Sequence, residues 1–211
     1  MTNRPVALVT GATRGIGRAI AVELSSTHRI LVGGRDASRA GALVAELGDA
    51  APFVCDLADE DAVAAACAGI GRLDVLVHSA GIGRSNDIGL ASRALWREVF
   101  ETNVFAVADL TRLLLPALEA ARGIVVAINS GAGFFSSPGG GVYAGSKFAL
   151  RALTDALREE MRGKVRVCSI HPGRTDTDMQ RELQAAMGNE HYNGSCYVSP
   201  GSVAAAVRLA V

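Results

Sequence analysis

Val6-Ala-Leu-Val-Thr-Gly-Ala-Thr-Arg-Gly-Ile-Gly17 is the run on which the fold turns. Val6–Val9 is a short apolar block, long enough for one buried strand. The glycines that follow stand at positions 11, 15 and 17, and helical periodicity runs on to Ser26. A strand that breaks into a glycine turn and restarts as a helix suits a bound phosphate. Gly11 permits a tight turn, Gly15 lets backbone approach a pyrophosphate, and Gly17 lets the helix pack close to the sheet. Thr13, Arg14 and Ile16 lie inside the same turn. The helix start adds unpaired N–H groups and the positive end of its dipole. The plainer reading is a glycine-rich turn without a ligand, because 24 glycines in 211 residues produce chance spacings.

Outward from this turn the chain alternates. Strand-like runs are Val6–Val9, Ile30–Val32, Pro52–Cys55, Val75–His78, Ile124–Asn129 and Val165–Ile170. Helical periodicity occupies Gly15–Ser26, Ala37–Leu47, Glu60–Ala68, Leu95–Leu118, Tyr143–Met161 and Pro200–Ala210. Strands alternating with helices imply crossover units. Nearly continuous apolar strands imply a parallel sheet buried on both faces. The chain therefore reads as one α/β domain over residues 1–211, with helices on both sides of six parallel strands. Apolar residues make up 49%, enough for a real core. Lys plus Arg and Asp plus Glu both number 21, so the net charge is zero and gives no electrostatic case for nucleic acid or an anionic membrane. No stretch approaches the roughly 18 apolar residues of a membrane span, and Val6–Val9 is too short for a signal core. The expectation is a soluble cytoplasmic protein. Cys55, Cys67, Cys168 and Cys196 fit no zinc spacing, and His28, His78, His171 and His191 fit no ligand spacing, so no metal is expected. Cys55 and Cys168 read as reduced core thiols at strand ends, and His78 as a packing residue.

The second strand ends Leu31-Val32-Gly33-Gly34-Arg35-Asp36. In a dinucleotide fold an acidic residue there takes the ribose of NAD, and arginine accommodates the 2′-phosphate of NADP. Gly34 stands where the acid belongs, and Arg35 and Arg14 can bracket a phosphate. NADP(H) is expected over NAD(H). Asp36 reads as the N-cap of the next helix, with ribose binding as its other option. Asp56-Leu57 would flank the adenine, or serve as a cap or turn.

The chain holds two lysines against nineteen arginines, so a lysine invites a reason. Lys147 follows Tyr143 by four residues, which places both on one helix face. A cation near a phenol lowers its pKa toward acid–base range, and a compact ammonium also reaches ribose hydroxyls. Ser130, thirteen residues before Tyr143, follows an apolar strand and can hold a substrate carbonyl against the phenol.

With these residues in place the sequence resembles the short-chain dehydrogenase/reductase family, near its 3-oxoacyl-carrier-protein reductases. The matching positions are Thr10–Gly17, Asp56-Leu57, Ala80-Gly81, Asn103, Ser130, Tyr143–Lys147 and Pro172–Met179. The resemblance implies a Rossmann-like doubly wound sheet in three layers. It implies Tyr143 as general acid, Lys147 as its partner and ribose ligand, and Ser130 as the carbonyl-positioning hydroxyl. Asn103 resembles the asparagine that supports a proton-relay water. Pro172, Gly173, Thr175 and Thr177 resemble the segment at the nicotinamide end, with Thr175 near the carboxamide and Thr177 near the phosphates. Ser79, Ala80 and Gly81 close the cofactor side, although Ser79 replaces the asparagine that usually stitches the central strand. The chain reaches Val211 inside the helix after Pro200, so a seventh strand is expected only from residues beyond it.

Substrate selection is expected from Ile82–Asp87, Gly131–Val142 and Arg174–Val198. The last carries Met179, Met187, His191, Tyr192, Cys196 and Tyr197, and reads as a mobile lid. Apolar residues around Leu95–Leu118, from Val104 and Phe105 to Leu114, suggest subunit contact as a homodimer or homotetramer. The function expected is carbonyl–alcohol interconversion on a small molecule by hydride transfer. The alternatives are a cofactor sensor without turnover, or an epimerase or dehydratase on the same scaffold.

Overall fold

The computed structural model describes residues 4–186, 188–189 and 191–211. Six strands form one parallel sheet: β1 (Val6–Val9), β2 (Arg29–Gly34), β3 (Ala50–Val54), β4 (Val75–His78), β5 (Ile124–Ile128) and β6 (Arg166–Ile170). Their order is β3-β2-β1-β4-β5-β6. Alternation along each strand splits the core. Ala7, Val9, Ile30, Val32 and Val126 face one side, under α1 (Gly15–Ser25), α2 (Ala37–Leu47) and α8 (Pro200–Ala210). Leu8, Leu76 and Val125 face the other, under α3 (Glu60–Cys67), α5 (Ala106–Ala121) and α6 (Gly141–Glu160). This is the expected three-layer, doubly wound arrangement.

The helix expected over Leu95–Leu118 is a longer and interrupted rod. It begins as α4 (Arg93–Phe100), capped where Ser92 accepts from the Leu95 N–H. A π-helical turn, Glu101–Phe105, joins it to α5. One extra residue per turn re-aims the side chains there, and periodicity gives no sign of it. Of the apolar residues credited to a subunit surface, Val107, Leu110 and Leu114 are buried in the chain's own core, while Phe105 remains exposed.

Arg174–Val198, expected as a loop, contains α7 (Asp178–Ala186). Thr177 caps it by accepting from the Gln180 N–H at 3.3 Å. The Thr-x-x-Gln spelling of Thr177–Gln180 is a recognised helix start. A parallel bridge pairs Thr175 with Val198 and closes the neck of this excursion. Met187 lies outside the described residues. Cys168 sits within β6 rather than at its end, and is half-buried.

The glycine turn is built as read, with one change. Gly11 and Gly15 have φ of 63° and 54°, a region that costs other residues. Gly17, however, packs on the turn itself. A Cβ there would collide with the Gly11 carbonyl and lie 3.2 Å from the Ala12 Cα. The ends of β1 and β4 are tied by Thr10. Its N–H donates to the Val77 carbonyl at 3.0 Å, and its Oγ1 accepts from the N–H groups of Ser79 and Ala80, each at 3.0 Å. That is how β4 is stitched although Ser79 is not asparagine.

Two substitutions separate these roles. Gly17→Ala should lose about 2 kcal/mol or more in urea unfolding, because the obstacle is backbone. Gly41→Ala, in the interior of α2 with nothing within 4 Å, should gain about 0.5–1 kcal/mol. Equal effects from the two would contradict the steric account.

Candidate active site

The strand order reverses between β1 and β4, and a cavity of about 260 Å³ opens at their carboxyl ends. Gly11 and Thr13–Gly17 line it from the turn, Arg35 from β2, and Asp56 and Leu57 from the end of β3. Ser79, Ala80 and Gly81 line it from β4, and Thr177 from the start of α7. These are thirteen of the residues expected to hold a cofactor. Gly33, Phe53 and Thr102 line it too and were not expected there, as do Thr10, Asp178 and Met179, which lie in matched motifs but were not named as cofactor ligands.

The cavity suits a dinucleotide on its own structural evidence. Asp36, Asp59, Ser92 and Ser199 cap α2, α3, α4 and α8 through side-chain oxygens, whereas Arg14 at the start of α1 caps nothing. The first N–H groups of α1 therefore need an acceptor from elsewhere. The Gly15 backbone is open toward the cavity, its nearest neighbour being the Thr177 methyl 3.5 Å from where a Cβ would stand. At the adenosine end, Gly34 lies beneath Thr13, whose Cγ2 is 2.8 Å from where a Gly34 Cβ would stand. No carboxylate occupies that position. Asp36 accepts from the Arg39 N–H at 3.0 Å, as its reading as an N-cap required. Arg35 faces Asp56 at 3.8 Å and Arg14 faces Glu182 at 3.6 Å, both as exposed pairs.

Ser130, Tyr143, Lys147 and Asn103 do not line this cavity, nor do Pro172, Gly173 and Thr175. The first three form a cluster of their own where β5 ends against α6. Ser130 leaves β5 extended, its Oγ accepting from the Ala132 N–H at 3.1 Å and lying near enough to the Tyr143 phenol to pull its pKa down. One turn on, Lys147 is 5% exposed and donates from Nζ to the Ile128 carbonyl at 3.1 Å. Its Nζ lies 5.7 Å from the Tyr143 ring centroid. Burial lowers the Lys147 pKa to about 8. Burial raises that of Tyr143, against a smaller downward pull from Ser130. The sequence reading put the phenol below its ordinary range because it counted the neighbouring cation and omitted burial. In this structure burial wins, and the phenol is held as the neutral acid.

Asn103, in the π turn, spends its whole amide on the scaffold. Oδ1 accepts from the Ile82 N–H at 2.9 Å, and Nδ2 donates to the Ile82 carbonyl at 2.9 Å and to Ser146 Oγ at 3.0 Å. Ser146 in turn donates to the Tyr143 carbonyl at 2.7 Å. One side chain thus joins the β4 loop, the π turn and the tyrosine helix. Thr175 is buried, its hydroxyl donating to the Gly173 carbonyl at 3.1 Å. Beyond it, Tyr192 donates to Asp176 at 2.9 Å and stacks on Tyr197. His191 is exposed. His78 is packed in the core, where Nε2 meets Thr111 at 2.9 Å and burial lowers its pKa to about 4. Among the described residues no group of three or more His, Cys, Asp or Glu is placed to hold a metal. None of the described helices is long and apolar enough to cross a membrane.

A doubly wound sheet with a phosphate turn at its switch point, beside a serine–tyrosine–lysine cluster, defines an oxidoreductase of carbonyl and alcohol groups. The chain belongs to the short-chain dehydrogenase family, whose model matches residues 5–188. It is 37% identical to a serine 3-dehydrogenase of Agrobacterium fabrum over 199 residues, 90% of this chain and 79% of that one. It is 34% identical to a 3-oxoacyl-[acyl-carrier-protein] reductase of Pseudomonas aeruginosa, over 86% of this chain and 78% of that one. Among solved structures it resembles a metagenomic short-chain oxidoreductase in complex with NADP, with a TM-score of 0.82, 33% identity, and coverage of 98% of this chain and 89% of that one. It also resembles the closed form of serine dehydrogenase complexed with NADP+, with a TM-score of 0.89, 28% identity, and coverage of 97% and 88%.

The buried ammonium has a stability consequence. Because the folded state depresses the Lys147 pKa from 10.5 to about 8, it is penalised wherever the lysine is charged. That penalty is full below pH 8 and is relieved as pH rises toward 10.5. Lys147→Met should therefore stabilise the cofactor-free protein at pH 7 by on the order of 1–3 kcal/mol, with a Tm several degrees higher. The gain should shrink above pH 8. A lower Tm at pH 7 would contradict it.

Proposed function

We propose that the chain is an NADP(H)-dependent oxidoreductase that interconverts a carbonyl and an alcohol, with Tyr143 as the general acid and base. The observation that carries this reading is the cluster of Ser130 and Tyr143 with a buried Lys147, beside a cavity lined by the glycine turn with no carboxylate at Gly34. The NADP named with two of the similar solved structures agrees with the choice of cofactor. The bound nicotinamide supplies or accepts the hydride. The turn from Gly11 to Gly17, with α1 behind it, holds the pyrophosphate. Arg14 and Arg35 take the 2′-phosphate, exchanging Glu182 and Asp56 for it. Asp56 and Leu57 flank the adenine, and Ser79–Gly81 close the far wall. Pro172, Gly173, Thr175 and Thr177 hold the nicotinamide end.

In reduction, Ser130 donates to the substrate carbonyl and holds it against the phenol. Tyr143, neutral because it is buried, gives its proton to the carbonyl oxygen as charge develops there. Lys147 stabilises the phenolate left behind and binds the ribose, and its depressed pKa lets it pass a proton on near neutral pH. In oxidation the same groups act in reverse. Asn103 acts through the scaffold, since its side-chain amide is already committed. Four unpaired cysteines suit a reducing cytoplasm. Phe105 and Phe148, 53% and 44% exposed on the α5–α6 side, are the surface on which a homodimer or homotetramer would form.

A carbonyl panel followed by NADPH absorbance tests the chemistry. Tyr143→Phe should cost at least about 100-fold in kcat with NADPH binding retained. No turnover with any carbonyl or alcohol, alongside tight NADPH binding, would leave the sensor reading. A racemised or dehydrated product without net cofactor change would favour the epimerase or dehydratase. For the cofactor, Arg35→Ala should weaken NADPH about 10- to 100-fold and leave NADH within twofold. Equal losses for both would defeat the 2′-phosphate role.

A further inference from the structure

We infer that His171 is the positioning residue for Ser130, an inference that rests on the proposed carbonyl–alcohol chemistry. β5 and β6 stay zipped past their ends. The Asn129 N–H donates to the Ile170 carbonyl at 2.8 Å, and the Gly131 N–H donates to the Pro172 carbonyl at 3.0 Å. In the reverse direction Pro172 has no N–H to give. The residue before it provides a donor from its side chain instead: His171 Nδ1 lies 3.0 Å from the Ser130 carbonyl oxygen.

The chemistry of this contact fixes the tautomer. A carbonyl oxygen only accepts, so Nδ1 carries a proton. In the neutral ring Nε2 is then an acceptor, and Ser169 Oγ stands 3.0 Å away to donate to it. The Ser130 oxygen also accepts from the Gly133 N–H at 2.9 Å, so both of its lone pairs are used. The imidazole is clamped from the side as well. It packs on Phe134 at 4.4 Å between ring centroids, and the Arg151 guanidinium lies 4.4 Å from the Phe134 centroid.

The consequence falls on the Ser130 hydroxyl. Its direction depends on how the Ser130–Gly131 peptide plane is set, and two donors set it: one from the Gly131–Gly133 turn and one from His171. His171 also sits immediately before Pro172-Gly173, the segment assigned to the nicotinamide end. The group that fixes the carbonyl-holding hydroxyl is therefore covalently adjacent to the segment that fixes the hydride donor. His171 touches neither substrate nor cofactor in this account. It keeps the two reacting centres in register.

Three substitutions test this. Asparagine keeps an N–H donor at the δ position, glutamine moves it outward to the ε position, and alanine removes it. His171→Ala and His171→Gln should each lose about 10- to 100-fold in kcat, with the NADPH dissociation constant within threefold of wild type. His171→Asn should recover kcat to within about threefold. A purely structural role would instead lower Tm, cofactor binding and kcat together in all three, and that result would overturn the inference. So would a wild-type kcat for His171→Ala, or an imidazole nitrogen spectrum of the wild-type protein showing Nδ1 unprotonated. A wild-type enzyme that turns over no carbonyl or alcohol defeats the functional reading and this inference with it. Normal turnover in His171→Ala defeats the inference alone.

Discussion

The reversal of strand order between β1 and β4 is the constraint on which the rest of the molecule depends. The crossover from β1 leads away under one face and that from β4 under the other, so the carboxyl ends of two adjacent central strands are left uncovered. Such a gap exposes backbone at the centre of the sheet, where unmet N–H groups are costly. Thr10 closes the protein side of the gap by serving two N–H groups with one oxygen. The start of α1 is left without a side-chain cap, which leaves its first N–H groups free for the anion of the proposed cofactor. Cavity, turn and glycine spacing all follow from this one crossing.

The cluster around Tyr143 shows what such a site costs the fold. Burial pushes Lys147 down and Tyr143 up, toward neutral forms in both cases. A core optimised for stability would place an apolar side chain at 147. The retained ammonium is offset by a single carbonyl, that of Ile128. The surrounding scaffold is correspondingly rigid. Asn103 and Ser146 tie three elements to the tyrosine helix, and the π turn exists where the Asn103 amide must reach the Ile82 backbone from the rod joining α4 to α5.

Sequence made the sheet legible because burial on both faces leaves uninterrupted apolar runs. Val6–Val9, Val75–His78, Ala37–Leu47 and Pro200–Ala210 begin and end where their composition says. The serine, tyrosine and lysine were legible because their spacing is rare in a chain with two lysines. The π turn was not, since a single inserted residue leaves the apolar period almost intact. α7 was missed although Thr177 and Gln180 spell its start and Met179 and Leu183 share one face, because so few apolar residues among so many polar ones read as a loop. The direction of the Tyr143 shift was misread because charge can be counted along a sequence and burial cannot. His171 drew attention only as a possible metal ligand, and its partner is a main-chain oxygen, which no side-chain pattern reveals.

The pairs Arg14–Glu182 and Arg35–Asp56 bear on how fast anything arrives. Each arginine at the cavity mouth already has a carboxylate within 4 Å, at 3.6 and 3.8 Å. Seen from a distance greater than the Debye length of about 8 Å, the mouth is close to electroneutral. The whole chain, with no net charge, adds no net monopole attraction. An approaching phosphate is therefore not drawn in from solution, and its encounter rate should vary little with ionic strength. On the proposed reading, recognition of the anion would begin only at contact, when it would displace two carboxylates held by weak exposed pairs.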